Sequence, residues 1–462
     1  MLAVWEITDA CTNECLHCYN KERYGKRRLR TGGIAADKAY RQIVRQLKDE
    51  GFDGVYLVGG EPLMSGKLLE IVREAKTQGM GVGIGTNGML LVPPLSEALL
   101  DAEVDSIVVS LEGASARTND AVRGDGTFER VLRNVDRFQA ARRRKGSAAG
   151  FGLSLIANAL NLEDIPELYP FAAVHGFDAI AIGFLAKEGG ARDNWELLHP
   201  DALQMIRAID RMAAQAGRFP NIALNMDCKP LLIEYLNRKH RIGIGQIDDY
   251  RCRATVDHLY ITAAGDVLPC SSAGLSRAEA AASGGRFSLE SANILKDPLG
   301  VIRQSAFFTE FREFALDPES YRRITTCEGC KFRTRCAPCP LQVAVSEGHE
   351  YEQCRAVQIL YERFKKRILA AVAKPKPESR ITVINPAMVL ARSDKIESVF
   401  EHVQAEILIR LRAGDRIEEL VRTVQARVPG ADQNKICDDV LDFLFAVEEA
   451  DIIRIEPRVW SE

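Results

Sequence analysis

Ala10-Cys11-Thr12-Asn13-Glu14-Cys15-Leu16-His17-Cys18-Tyr19 follows closely on the apolar run Leu2-Ala3-Val4-Trp5-Glu6-Ile7. The run reads as a buried strand, and the cysteines behind it have the spacing C-x3-C-x2-C. Three thiolates on one short loop can hold three corners of a [4Fe–4S] cluster, because such clusters are ligated by cysteine thiolates at close spacing. The fourth iron then has no protein ligand nearby and is open to chemistry. Spacing alone leaves two other readings standing: most of a zinc site, or a cluster closed by a cysteine elsewhere in the chain.

Working outward, three further strand ends carry small or polar turns. Gly54-Val55-Tyr56-Leu57-Val58 runs into Gly59-Gly60-Glu61-Pro62. Two glycines let a ligand approach the backbone closely, and the carboxylate beside them can accept bonds from an ammonium group. Val82-Gly83-Ile84-Gly85 leads into Thr86-Asn87-Gly88, and Ser106-Ile107-Val108-Val109 into Ser110-Leu111-Glu112-Gly113. Candidate strands near 2–8, 54–58, 81–85, 106–110, 151–157 and 178–184 alternate with amphipathic stretches such as Asp37 to Glu50, Lys67 to Gln78 and Phe128 to Arg144. Repeated strand–helix units predict a parallel sheet with helices outside. Barrels of this kind place active sites at the C-terminal strand ends, where the cysteine loop and the glycine turn both fall.

The cysteine spacing and the Gly59-Gly60-Glu61-Pro62 turn together resemble the radical S-adenosylmethionine (SAM) enzymes and their GGEP motif. Arg123-Gly124-Asp125-Gly126-Thr127-Phe128 resembles the R-G-x-G-[TS]-F stretch of peptide-modifying members. Glu112 stands where the family's S-x-D-G has aspartate, and Asn119-Asp120 where it has His-Asp. The resemblance implies an α/β fold, a partial (β/α)6 TIM-like barrel over residues 1–220. It also implies that Cys11, Cys15 and Cys18 hold the catalytic cluster. SAM would chelate the open iron, with Gly59, Gly60, Glu61 and Pro62 at its methionyl ammonium and Asn87 and Ser110 as further contacts. One electron would then cleave SAM to a 5′-deoxyadenosyl radical that abstracts hydrogen from a substrate carbon.

The chain has twelve cysteines in 462 residues. Without a secretory signal this argues for metal ligation over disulfides. Cys252, Cys270, Cys327, Cys330, Cys336, Cys339 and Cys354 resemble a SPASM extension, taken as residues 221–373, which in its relatives carries two auxiliary [4Fe–4S] clusters. By resemblance one takes Cys327, Cys330, Cys336 and Cys354, and the other Cys252, Cys270 and Cys339, with Cys228 a candidate fourth ligand. Only two residues, Ala337 and Pro338, precede the sixth cysteine, where the family usually has three. The C-x2-C spacing by itself suits a zinc ribbon too. Cys437 reads as a small buried apolar residue.

Lys374 to Ser379 is by composition a stiff linker. Residues 380–462 then read as a separate unit: strands at Ile381–Ile384 and Met388–Ala391, helices over Ile396 to Leu411, Ile417 to Val428 and Lys435 to Ala450, and a last strand at Ile452 to Ile455. The pattern resembles the winged-helix-like recognition element of peptide-modification pathways. DNA binding is disfavoured, since this stretch holds eleven Lys and Arg against sixteen Asp and Glu. A leader peptide can instead add as a strand to a sheet edge.

Overall composition is 46% hydrophobic and 27% charged with a formal net charge of −3, which favours neither nucleic acid nor an anionic membrane. No apolar run reaches a membrane span, and the expected location is cytoplasmic. The resemblance implies a precursor peptide as substrate, cross-linked by a thioether or C–C bond, and an electron donor such as flavodoxin or ferredoxin. The alternatives are a sulfatase-maturase-like or haem-pathway SPASM enzyme; Ser271 follows Cys270 where sulfatase maturases carry an aspartate base. The non-enzyme alternative is a zinc or electron-transfer iron–sulfur protein. No general acid or base can be assigned from the residues alone.

Overall fold

Leu2–Glu6 (β1), Gly54–Val58 (β2), Gly81–Thr86 (β3), Ser106–Ser110 (β4), Gly150–Ala157 (β5) and Ala179–Phe184 (β6) are strands, as expected from their apolar runs. A computed structural model supplies the structure and describes residues 1–21, 34–227, 229–244, 252, 254–271, 292–316, 336, 352–393, 395–450 and 452–456. Two compact units emerge: Met1–Asn237 with Ile242–Ala356, and Arg238–Arg241 with Val357–Glu462.

In the first unit β1 to β6 pair in sequence order, every pair parallel. A parallel pair needs a crossover, and helices supply it: Ile34–Asp49, Leu68–Thr77, Leu95–Asp101, Ala116–Arg123 with Thr127–Lys145, and Leu168–His175. The layer beneath them is dry. Trp5, Phe52, Phe138 and Phe151 are fully buried, and Phe151 stacks between Phe138 and Phe177 at 4.7 and 4.8 Å.

The sheet runs past the six expected strands. Ala223–Met226 (β7) adds parallel to β6, and His258–Ile261 (β8) adds parallel to the free side of β1. Asp266–Leu268 (β9) and Ala292–Asn293 (β10) follow antiparallel, giving the order β10-β9-β8-β1-β2-β3-β4-β5-β6-β7. Segments assigned from sequence to the extension beyond residue 220 therefore complete the barrel sheet. The reason is β1: as first strand it would be an unpaired edge, and β8 covers it.

In the second unit Val372–Pro375 (β11) pairs antiparallel with Ile453–Glu456 (β15). Lys374 and Pro375, read from composition as linker, are thus strand residues; proline is tolerated here on a two-stranded ribbon. Arg380–Asn385 (β12), Met388–Arg392 (β13) and Glu397–Glu401 (β14) form an antiparallel sheet. The expected helix over Ile396 to Leu411 begins only at His402. Glu397-Ser398-Val399-Phe400-Glu401 alternates exposed and half-buried side chains and pairs with β13 instead. Helices His402–Ala413, Ile417–Arg427 and Gln433–Glu449 follow, burying Leu408, Leu420 and Leu444 completely.

Candidate active site

At the C-terminal ends of the barrel strands lies a cavity of about 910 Å³ lined by Cys11, Cys15 and Cys18, with Gly59, Gly60, Glu61, Asn87 and Ser110 on the same wall. Folding thus brings the cysteine loop and the turns after β2, β3 and β4 to one place. Pro62 is buried and opens a short 3-10 turn behind the lining. Cys11, Cys15 and Cys18 are free thiols.

The two glycines serve the loop itself. A Cβ on Gly59 would stand 2.2 Å from the Thr8 carbonyl oxygen, and one on Gly60 2.2 Å from that of Ala10. Their absence lets the chain before Cys11 hydrogen-bond flat onto the turn: Gly60 N–H donates to Thr8 O at 2.8 Å and Glu61 N–H to Ala10 O at 2.6 Å. The protein's own backbone uses the close approach that these glycines allow.

Glu61 is fully buried. Its carboxylate accepts from the Thr86 hydroxyl and the Asn87 N–H, each at 2.7 Å, and from the Leu63 N–H at 3.0 Å. Burial pushes its carboxyl up from the usual range. The side chain clamps two strand ends together. Asn87 works similarly, its amide donating to Thr12 Oγ1 at 2.8 Å and Asn13 Oδ1 at 3.2 Å and reaching 3.8 Å from Cys11 Sγ. Ser110 stands half-buried at the end of β4, in the cavity wall.

Other residues of the site carried no assigned role in sequence. Arg123, from the R-G-x-G-[TS]-F stretch, is 9% exposed and lines the cavity. Its Nε and Nη2 donate to Glu112 Oε1 at 3.0 and 2.5 Å, while Nη1 lies 3.8 Å from Cys15 Sγ. Glu112, completely buried, also accepts from the Ile156 N–H at 3.1 Å and faces His17 Nε2 at 2.9 Å. Burial opposes its charge, but His17 and Arg123 prevail and hold the carboxyl down at about 2. The two departures from the family pattern are thus internally matched: Asn119 Oδ1 receives the Glu112 N–H at 3.0 Å, and Asp120 accepts from Gly126 N, Thr127 Oγ1 and Phe128 N. Tyr56 of β2 crosses the floor, where a Cβ on Gly83 or Gly85 would strike its ring or hydroxyl at 2.6 or 2.9 Å. Alternation along β2 and β3 placed these three on one face; nothing in it names Tyr56.

The donor set fits an iron–sulfur cluster. Burial pushes the Cys11 thiol up to about 11 and the Cys15 thiol up to about 12, so thiolates form there only with compensation. N–H groups aimed at sulfur, from Asn13 to Cys11 at 3.5 Å and from Asn87 and Arg123 as above, suit sulfur atoms that bear negative charge. Further along, Cys252 and Cys270 pack around Ala254 and Phe311 with Leu268, so folding gathers two of the later cysteines. Cys336 is half-buried, and Cys354 lies on the helix Glu352–Leu369. Cys228, Cys327, Cys330 and Cys339 lie outside the described residues.

Residues 5–172 match the model of the radical SAM superfamily, and residues 252–331 that of the SPASM iron–sulfur cluster-binding domain. Over these two stretches the chain is similar to those two families. Among curated relatives, mycofactocin maturase MftC of Mycobacterium tuberculosis is 29% identical over 214 residues, 46% of this chain and 52% of the relative. The chain spans about half the length of the mycofactocin maturases it matches. AdoMet-dependent heme synthase of Methanosarcina barkeri is 26% identical over 362 residues, 76% of this chain and 94% of that one. Among solved radical SAM structures, Streptococcus suis SuiB bound to S-adenosylmethionine superposes with a TM-score of 0.56 at 18% identity, covering 77% of each chain. At that identity the likeness is one of fold. No described helix is long and apolar enough to cross a membrane.

Proposed function

We propose that this chain modifies a ribosomally made peptide by radical SAM chemistry, closing a thioether or C–C cross-link. The observation that carries the proposal is the convergence of three free thiols, the Glu61 clamp and the Arg123–Glu112 pair on one cavity at the strand ends. When bound there, an iron–sulfur cluster with SAM supplies one-electron cleavage of SAM and abstraction of substrate hydrogen. Cys11, Cys15 and Cys18 are the residues to hold the cluster. Gly59, Gly60 and Ser110 remain the backbone and hydroxyl groups facing SAM, and Arg123 is the buried cation able to meet its carboxylate. Tyr56 and the small residues Gly83, Gly85 and Ser154 shape the floor that receives substrate. The SPASM cysteines would hold two auxiliary clusters, three in all, and a flavodoxin or ferredoxin would deliver electrons.

The peptide reading is supported by the names of relatives, a mycofactocin maturase and a SuiB structure bound to precursor peptide SuiA. The second unit supports it independently. Among the described residues, β12 and β14 each pair with β13 alone, and Val383, Ile384 and Val399 on them are exposed. An extended leader peptide can add to such an edge. A haem-pathway reading stands second, favoured by the heme synthase match across 94% of that relative.

Anaerobic reconstitution with iron and sulfide, then reduction with SAM, tests the first step: absence of 5′-deoxyadenosine would refute radical chemistry. A short precursor peptide encoded beside this gene, offered against a haem precursor, separates the two substrate readings by which one changes mass. Deleting residues 380–462 should abolish leader binding while SAM cleavage persists.

A further inference from the structure

We propose that Arg123 sets the reduction potential of a cluster held by Cys11, Cys15 and Cys18, and that Glu112, as a positioning residue, limits how much of that positive charge reaches the sulfur atoms. The inference rests on the iron–sulfur reading of the loop, and does not depend on which substrate the enzyme takes.

Three observations carry it. First, the guanidinium is divided in its bonding. Nε and Nη2 are committed to Glu112 Oε1, which leaves Nη1 as the corner turned to Cys15 Sγ at 3.8 Å. Second, neither partner can drift. Glu112 is held by the Ile156 N–H on its other oxygen, and the cysteine loop is tied to the same helix end, Leu16 N–H donating to Val122 O at 3.0 Å and Asn13 Nδ2 to Arg123 O at 3.5 Å. Third, the pair is dry: Glu112 is 0% and Arg123 9% exposed, so its field on the loop is weakly screened.

Reduction adds one negative charge to a cluster. A cation and an N–H donor at a ligating sulfur stabilise the reduced state and raise the potential; an anion behind them lowers it. The competing account is a buried ion pair that merely braces the loop. The two differ in sign. Electrostatic tuning requires removal of Arg123 and removal of Glu112 to move the potential in opposite directions, whereas loss of a brace disturbs the loop in the same way from either side.

The test is an EPR-monitored redox titration of the full chain, reconstituted anaerobically with ferrous iron and sulfide. It is run without SAM, so that SAM binding cannot enter; the relevant signal is the one that changes when SAM is added to a parallel sample. At the potential where half of the wild-type cluster is reduced, Arg123→Gln should lower the reduced-to-oxidised ratio about tenfold, which is 59 mV for a one-electron couple. Glu112→Gln should raise the ratio, and the double variant should return towards wild type. Shifts of the same sign in both single variants, an unchanged potential in Arg123→Gln, or failure of Arg123→Gln to assemble the cluster would each overturn the proposal. A wild-type chain with no SAM-responsive signal would instead overturn the cluster reading beneath it.

Discussion

The backbone N–H of Asn87 donates to Glu61 Oε2 at 2.7 Å, while the Asn87 amide donates to Thr12 at 2.8 Å. One residue thereby joins the turn after β2, the turn after β3 and the cysteine loop. Replacing Glu61 with alanine leaves the N–H groups of Asn87 and Leu63 and the Thr86 hydroxyl without their acceptor. At about 1–3 kcal/mol for a buried group left unpaired, a loss of roughly 2–4 kcal/mol is expected in denaturant unfolding of the apo protein. A loss below 0.5 kcal/mol would mean that the clamp does not form.

Gly60 tests the docking of the loop directly. The Cβ of Gly60→Ala would meet the Ala10 carbonyl oxygen at 2.2 Å, whereas a Cβ on Gly66 meets nothing within 4 Å. Iron retained per chain after reconstitution should fall in Gly60→Ala and stay at the wild-type level in Gly66→Ala.

A pH dependence follows from Glu112. Its carboxyl is depressed in the folded state, to about 2 from an ordinary 4.5, so it adds stability above 4.5 that is lost as pH falls through the window from 4.5 to 2. Stability measured across that window should fall less steeply in Glu112→Gln than in wild type. Equal slopes would show that the carboxylate is not held by Arg123 and His17.

Tyr260 donates its hydroxyl to the buried carboxylate of Glu6 and lies 3.0 Å from the hydroxyl of Tyr19. This joins β8, from the segment between Cys252 and Cys270, to the strand that delivers the cysteine loop. Tyr260→Phe keeps the ring and removes a bond to a buried charge-bearing group, so a cost of about 1–3 kcal/mol is expected. Its urea midpoint should drop accordingly, with the slope of the transition unchanged.

Much of this was legible beforehand because it is local. The six barrel strands show as apolar runs, and the cysteine spacing and glycine turns as contiguous motifs. What escaped reading depended on partners far off in the chain. β8 pairs with β1 across more than two hundred residues, so nothing near either strand announces the pair. Glu397 to Glu401 was assigned to a helix because the helical period that follows it begins without a break; only β13 alongside makes it a strand. The same holds for Arg123 and Glu112: one sits in a recognised motif and the other departs from one, and neither position reveals that their side chains meet.

By itself, the sequence determined the strand–helix alternation, the three thiols on one loop and the turn that carries Glu61, since each needs only neighbours within a few residues. Tertiary structure alone decided what those groups do to one another. It seated the cysteine loop on Glu61 and the two glycines, and placed a matched cation and anion behind Cys15. Burial is the reason: charge and hydrogen-bonding capacity are written in the residue type, but their strength depends on which distant atoms exclude the water.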